Sequence, residues 1–156
     1  MSHDALIEAS KQGNLRRVEE LLSKGANPNI VSTTALPEIP LHISSYYGHF
    51  EIVKILLLYG ANPNLQDIRG MTSLYQAAIF GHLDIIKILL SNGADPKIAN
   101  FSRITPLTIA AHGGHYTVTK ILRDYFPSLQ NLSMRSIRTY GINTLEVPED
   151  LYSSLT

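Results

Sequence analysis

The chain repeats itself at an interval of 33 residues, and this period constrains its fold more than any other feature. A Gly-His pair marks three of the units and a Gly-Asn pair marks the first, each with an apolar helical stripe after it and a shorter helical segment before it. Units of this size cannot bury their apolar faces alone, so the period predicts a stack of helix pairs. The pairs are Gly48-His49, Gly81-His82 and Gly114-His115, and Gly13-Asn14 stands 35 residues before the first of them.

Stop and start signals divide each unit into two helices. A glycine ends each second helix, where a positive φ is needed, and a proline three residues later prevents the helix from continuing. Threonine precedes two of the first helices as a predicted N-cap, and Pro106 suits a first turn. The glycines are Gly25, Gly60 and Gly93, the prolines are Pro28, Pro63 and Pro96, and the threonines are Thr72 and Thr105.

Small and large apolar residues occupy different helices of the unit. Alanines keep the first helix thin, so that neighbouring units stack closely, and leucines of the second helix are expected to form a shared core. The alanines are Ala77, Ala78, Ala110 and Ala111, and the leucines are Leu56, Leu57, Leu89 and Leu90.

The sequence pattern of these units resembles that of the ankyrin repeat, G-x-T-P-L-H-x-A-A-x-x-G-H-x-x-I-V-x-x-L-L-x-x-G-A-x-x-N. The resemblance implies an all-α solenoid of four helix-turn-helix repeats joined by β-hairpin connections. Residues 1–126 form the array, with repeats at about 1–29, 30–64, 65–97 and 98–126. Two extra residues in the second hairpin, around TTALPEIP, account for the 35-residue spacing.

The resemblance also implies which positions bind, because ankyrin proteins usually contact partners through hairpin tips and the concave face of the first helices. At these positions the chain carries an apolar set that favours an interface, although packing beneath the hairpins or against the tail is the alternative. The predicted target-binding residues are Tyr46, Tyr47, Ile79, Phe80 and His112 before the turns, and Ile68, Arg69, Met71, Phe101, Ser102 and Ile104 at the tips.

The recurring histidines are interpreted as structural. His49, His82 and His115 are expected to hydrogen-bond within their own turn and second helix. Because packed helices of successive units stand roughly 10 Å apart, the three cannot share one metal ion. His112 lies near His115 in sequence but has no evident third ligand, so neither a metal site nor a cofactor is predicted.

Composition argues against several other classes. Thirteen basic residues balance thirteen acidic ones and lie scattered, which disfavours nucleic acid and anionic membranes as partners. There is no cysteine, and we find neither a signal peptide nor the roughly 20 apolar residues that span a bilayer. No nucleophile elbow or phosphate loop appears, so no catalytic residue is predicted. We expect a cytoplasmic location, with the nucleus also open.

Residues 127–156 do not follow the period. Pro127 ends the array, Ser128 suits an N-cap, and apolar residues then recur on one face of a predicted helix as far as Gly141. A one-sided helix of this length followed by an apolar arm requires a surface to cover it. That surface is either the last repeat, which makes the tail a cap, or another chain.

Another resemblance supports the second alternative, in which another chain covers the tail. SLQNLSMRSIR is similar to the Elongin-binding box that opens a SOCS box, S-L-x-x-L-C-R-x-x-I-R, and INTLEVPEDLYSSL resembles its cullin-selecting half. The order of these two motifs and their position after the repeats resemble those of the ankyrin-repeat-and-SOCS-box family. The resemblance implies Elongin contacts at Leu129, Leu132, Ser133 and Ile137, and cullin selection by Leu145, Val147 and Pro148.

Ser133 stands where the SOCS box has cysteine, and Glu146 where it has proline. The resemblance implies a non-enzymatic adaptor that recruits a target to an Elongin B/C–cullin–RING ubiquitin ligase. Two alternatives stay open: a stand-alone ankyrin binding or inhibitory protein with the tail as a cap, and a microbial effector that mimics the adaptor in the host cytoplasm.

Overall fold

The structure is a computed structural model that describes residues 4–33 and 37–125. These residues form eight α-helices and no β-strand. The helices alternate between a first helix and a second helix of each pair. They are α1 (Ala5–Lys11), α2 (Leu15–Ser23), α3 (Pro40–Tyr47), α4 (Phe50–Leu58), α5 (Ser73–Phe80), α6 (Leu83–Ser91), α7 (Pro106–His112) and α8 (Tyr116–Asp124).

The first helices α1, α3, α5 and α7 form one row, and the second helices form another. Neighbouring first helices contact each other more extensively than neighbouring second helices do. Small residues explain the difference, because Ser44, Ala77 and Ala110 are wholly buried and let the backbones approach. The predicted leucine core is confirmed at Leu56, Leu89 and Leu90, whereas Leu57 and Ala111 are only half-buried.

The predicted helix ends are confirmed. Gly25, Gly60 and Gly93 follow the second helices with φ of 86°, 85° and 84°. The hydroxyl oxygens of Thr72 and Thr105 cap α5 and α7 by accepting hydrogen bonds from backbone N–H groups three residues on, both at 3.2 Å. Such caps typically contribute about 1 kcal/mol each.

The recurring histidines connect neighbouring pairs, so the prediction that they bond within their own turn is wrong. Nε2 of His49 donates to the carbonyl of Lys11 at 3.2 Å, and Nε2 of His82 donates to the carbonyl of Tyr46 at 3.1 Å. Each ring also covers the turn glycine of the preceding pair. A Cβ on Gly48 would lie 2.8 Å from the ring of His82, which explains why glycine and histidine recur together.

Asparagines after the second helices connect the pairs on the other row. The Asn29 amide donates to the carbonyl of Gly60 at 3.0 Å and accepts from the N–H of Asn62 at 2.7 Å. Asn64 repeats both bonds one unit later, with Gly93 and Asp95. These bonds satisfy backbone groups that the helix ends leave without partners.

The described residues of the loops that connect the pairs form no β-strand, so the predicted β-hairpins are not confirmed. In the third-pair loop (residues 65–72) the N–H of Asp67 donates to the carbonyl of Met71 at 2.9 Å. In the fourth-pair loop (residues 98–105) Asn100 and Ile104 make the same bond at 2.9 Å. Ser32 and Glu38 make it in the second pair. Five residues (33–37) separate Ser32 from Glu38, whereas only three (68–70) separate Asp67 from Met71. The predicted two-residue insertion therefore lies between Ser32 and Glu38.

Candidate protein-binding surface

Three aromatic side chains form an exposed cluster on the first-helix row. Tyr46, Tyr47 and Phe80 are 40%, 47% and 44% exposed. The ring of Tyr46 makes T-shaped contacts with the other two rings, with centroid distances of 5.0 Å to Tyr47 and 4.7 Å to Phe80. We call these three residues the aromatic cluster. It presents three large rings to solvent on one rigid surface.

The sequence of α3 explains why these rings face outward. Ser44 and Ser45 are wholly buried, so this side of α3 faces the neighbouring helices. The tyrosines that follow them therefore project from the last turn, beside the turn glycine Gly48. In α5, the buried Ala77 and Ala78 place Phe80 in the same way.

Two of the recurring histidines support the aromatic cluster by stacking against its rings. The Tyr47 ring stacks on His49 at 5.9 Å between centroids, and the Phe80 ring stacks on His82 at 5.8 Å. His82 also bonds to the carbonyl of Tyr46, so one side chain contacts both halves of the cluster. A surface fixed in this way loses little conformational entropy when a partner binds.

The third-pair and fourth-pair loops present a second group of apolar side chains. Ile68 is 58% exposed and Phe101 is 73% exposed. The backbones of the two loops are joined directly, because the N–H of Phe101 donates to the carbonyl of Arg69 at 3.0 Å. Carboxylate and amide oxygens shape the loops, since Asp67 accepts from the N–H groups of Arg69 and Met71, each at 2.8 Å. Asn100 accepts equivalent bonds from Ser102 and Ile104 at 3.0 and 2.9 Å.

All predicted target-binding positions except Met71 lie at least partly at the surface. Met71 is only 7% exposed, so it presents almost no surface to a partner. Ile79 and Ile104 are half-buried, whereas Arg69, Ser102 and His112 are exposed. The predicted Elongin-binding and cullin-selecting residues lie outside the described residues.

Each loop is also supported by a buried side chain of the preceding first helix. His42 in α3 bonds through Nε2 to the carbonyl of Leu65 at 3.0 Å, at the start of the third-pair loop. Burial lowers the pKa of His42 to about 4, so the ring is neutral near pH 7. Tyr75 in α5 holds the same position one unit later, and its hydroxyl accepts from the amide of Asn100 at 3.3 Å. Burial raises the pKa of Tyr75.

An ion pair anchors the insertion of the second pair. Nζ of Lys11, at the end of α1, lies 3.1 Å from Oε1 of Glu38. The hydrogen bond and the charge of Glu38 raise the pKa of Lys11. Sequence reasoning missed this contact because the two residues stand 27 positions apart.

Sequence reasoning also missed Arg103 in the fourth-pair loop. Arg103 has a φ of 62° and is the only non-glycine residue with positive φ among the described residues. The same place in the third-pair loop is held by Gly70, whose φ is 77°. Aligning the two loops in sequence would have shown an arginine where the preceding unit has glycine.

The described part of the chain contains neither a group of metal ligands nor a membrane-spanning helix. Within residues 4–33 and 37–125, no three histidine, aspartate or glutamate side chains come together in a way that could hold a metal ion. Over the same residues, every helix is too short or too polar to cross a membrane.

Comparison with known proteins adds relatives that match about half of the chain. The E3 ubiquitin-protein ligase XBAT32 of Arabidopsis thaliana is 37% identical over 76 residues, which is 49% of this chain and 15% of the relative. The 2-5A-dependent ribonuclease of Mus musculus is 37% identical over 75 residues, 48% of this chain and 10% of the relative. The interferon antagonist OPG040 of Vaccinia virus is 39% identical over 75 residues, 48% of this chain and 25% of the relative.

The chain therefore spans no more than a quarter of the length of these relatives, whose names describe different activities. What they share with it is the repeat. Residues 6–100 match the family described as Ankyrin repeats (3 copies), a fold that serves as a scaffold for binding other proteins. This match covers more than half of the chain, and the protein belongs to the ankyrin-repeat family.

Proposed function

We propose that the protein recruits a target protein to an Elongin B/C–cullin–RING ubiquitin ligase. Residues 1–126 hold the target, and residues 127–156 hold the ligase. The chain performs no chemistry of its own. It raises the effective concentration of target lysines near the charged conjugating enzyme, and such tethering multiplies the rate of transfer without a new catalytic group. The cytoplasm is the proposed place of action.

The observation that carries the target-binding half is the aromatic cluster. Tyr and Trp are enriched among the residues that dominate interface energies, because they bury a large area at a low entropic cost. Tyr46, Tyr47 and Phe80 are each more than a third exposed although they pack edge to face on a rigid support. Leaving three such rings in water is unfavourable, and covering them with a partner recovers that free energy.

Support for the ligase-binding half comes from the residues of the tail. Leu129, Leu132 and Ile137 match apolar positions of the Elongin-binding box, and Ser133 replaces its cysteine by a residue of similar size. Leu145, Val147 and Pro148 follow in the order of the cullin-selecting half, with Val147 in place of leucine. The name of XBAT32 assigns a ubiquitin ligase activity to a protein with similar repeats. We extend the association with ubiquitin transfer to this chain as a proposal.

Binding of purified Elongin B/C to the intact chain tests the ligase-binding half. We expect saturable binding that is lost in the double variant Leu129→Ala/Ile137→Ala, because both side chains are proposed to insert into Elongin C. The matched control is Leu58→Ala, which truncates a leucine that is 78% exposed on α4. Absence of binding at tens of micromolar, together with reduced thermal stability of the double variant, would assign the tail to capping the repeats.

The target-binding half has a separate test in cells. Proximity labelling around the intact chain should identify proteins that the double variant Tyr46→Ala/Phe80→Ala no longer labels and that bind the purified intact chain. Tyr59→Ala is the control, because Tyr59 is 43% exposed on the second-helix row. If both variants label the same proteins with equal efficiency, the aromatic cluster is not the target-binding surface.

A second candidate is a stand-alone inhibitor that covers a partner's surface. The name of the vaccinia interferon antagonist assigns an antagonist role to a protein with similar repeats, and an antagonist needs only the binding surface. On this alternative the aromatic cluster keeps its role and the tail contacts no ligase. The Elongin experiment separates the two candidates, because target binding without Elongin binding favours the inhibitor.

A further inference from the structure

The third-pair and fourth-pair loops place two exposed apolar side chains and two arginines together. We call Ile68, Arg69, Phe101 and Arg103 the loop-tip patch. The bond from the N–H of Phe101 to the carbonyl of Arg69 fixes the two loops to each other. The Phe101 ring rests on Gly70, where an added Cβ would lie 2.7 Å from its Cδ1. The Phe101 ring is therefore held against a backbone while 73% of the residue faces solvent.

The charges of the loop-tip patch are positive, and the nearest carboxylate is already engaged. Arg69 has a side chain that is 71% exposed and lies 3.9 Å from Asp67. Asp67 is 10% exposed, and its Oδ1 already accepts two backbone hydrogen bonds. Among the described residues no carboxylate forms an ion pair with Arg103. The two guanidinium groups thus keep donors available for an external acceptor.

The backbone of Arg103 is a second, independent observation. Its φ of 62° lies in the left-handed region, which glycine adopts without cost and which other residues seldom adopt. Glycine holds this place in the third-pair loop. Strained non-glycine residues concentrate at binding sites, where the side chain has a use that outweighs the strain. Arg103 carries such a side chain, a planar fork that pairs with carboxylates.

We propose that the loop-tip patch binds an acidic segment of a protein partner, in which one or more carboxylates flank a bulky apolar side chain. The apolar side chain covers Phe101 and Ile68, and the carboxylates pair with Arg69 and Arg103. Charge-assisted, bidentate pairs of this kind are stronger than neutral hydrogen bonds and select against basic segments. The inference rests on the proposed target-binding function and specifies the chemistry of the target.

Selection from a phage library of random 12-residue peptides on the immobilised full chain tests this chemistry. We expect the enriched peptides to carry Asp or Glu beside Leu, Phe or Trp. The best peptide, made synthetically, should bind at least tenfold more weakly to Arg69→Gln/Arg103→Gln and to Phe101→Ala. Its affinity should also fall as salt rises. The same peptide with Asn and Gln in place of its acids should lose a similar factor.

Two controls separate loss of contact from loss of fold. Arg16→Gln removes an exposed arginine from α2, far along the chain, and should leave the affinity unchanged. Arg103→Gly removes the guanidinium while relieving the backbone, so weaker binding by this variant cannot be attributed to unfolding.

Three results would overturn the inference. These are enrichment of peptides without acids, affinity that is indifferent to both arginines, and failure to enrich any peptide. None of these results bears on Elongin binding or on proximity labelling through the aromatic cluster. The proposed function therefore stands or falls on its own experiments.

Discussion

The third-pair and fourth-pair loops use one backbone hydrogen-bond scheme, yet the residue with positive φ is Gly70 in the first loop and Arg103 in the second. Both residues have positive φ, at 77° and 62°. At Gly70, a Cβ would meet the backbone nitrogen of Phe101 at 2.9 Å as well as its ring. The turn alone therefore does not require glycine. What requires it is the next loop, which packs directly against the backbone of this one.

Substituting Gly70 by alanine should produce the largest change, because the added methyl meets both an unfavourable φ and the backbone of the next loop. We expect the free energy of unfolding of the full chain, measured with urea, to fall by about 3 to 4 kcal/mol. Gly60→Ala is the matched control, since Gly60 has φ of 85° with open space around it. That control should cost only about 1 kcal/mol. Equal losses in the two variants would refute the packing argument.

The support of the third-pair loop by His42 should make stability depend on pH. The pKa of His42 is about 4 in the folded chain against an ordinary 6.5, so between these values only the unfolded chain binds the proton. Stability is therefore complete above pH 6.5 and falls by about 3 kcal/mol as the pH drops to 4. Urea unfolding at a series of pH values measures this loss. The variant His42→Gln should lack that part of the pH dependence, and identical profiles would contradict the assignment.

The support of the fourth-pair loop by Tyr75 should be weaker and independent of pH in the acid range. Tyr75→Phe removes the hydroxyl that accepts from Asn100, and we expect a loss of about 1 kcal/mol. Thermal unfolding compares it with Tyr59→Phe, an exposed residue for which no change is expected. If Tyr75→Phe melts like the parent chain, the Tyr75–Asn100 bond does not stabilise the loop.

The smallest effect is expected at Arg103, and its sign is opposite. Arg103→Gly removes the strain of a left-handed residue and should raise the free energy of unfolding by about 0.5 to 1 kcal/mol. Arg103→Ala keeps the Cβ and should leave stability near that of the parent chain. A glycine variant less stable than the alanine variant in urea would show that the backbone of Arg103 is not strained, because glycine would then add only its greater entropy in the unfolded chain.

Local signals made much of the fold predictable from the sequence. The positive φ at Gly60 and the caps at Thr72 and Thr105 depend on a few adjacent residues, so the sequence alone carries them. The exposed positions of Tyr46 and Phe80 follow from their place before the turn glycine.

The features that escaped prediction depend on a neighbouring unit. His82 bonds to a carbonyl 36 residues earlier, and no local rule indicates that distance. Met71 is buried, although a position at a hairpin tip predicts exposure. The unusual position of Arg103 appears only when its loop is compared with the preceding one, where Gly70 holds the same place.

Each turn glycine leaves space for the histidine ring of the next unit, and this fit has a consequence for how such a chain changes length. His49 lies against Gly13 and His82 lies against Gly48 with the same geometry, and His115 covers Gly81 in turn. Removing residues 65–97 as a block would place the ring of His115 against Gly48. Removing only a few residues would leave a histidine ring without a glycine to pack against. The array is thus built of exchangeable parts, and whole units are the natural steps by which it grows or shrinks.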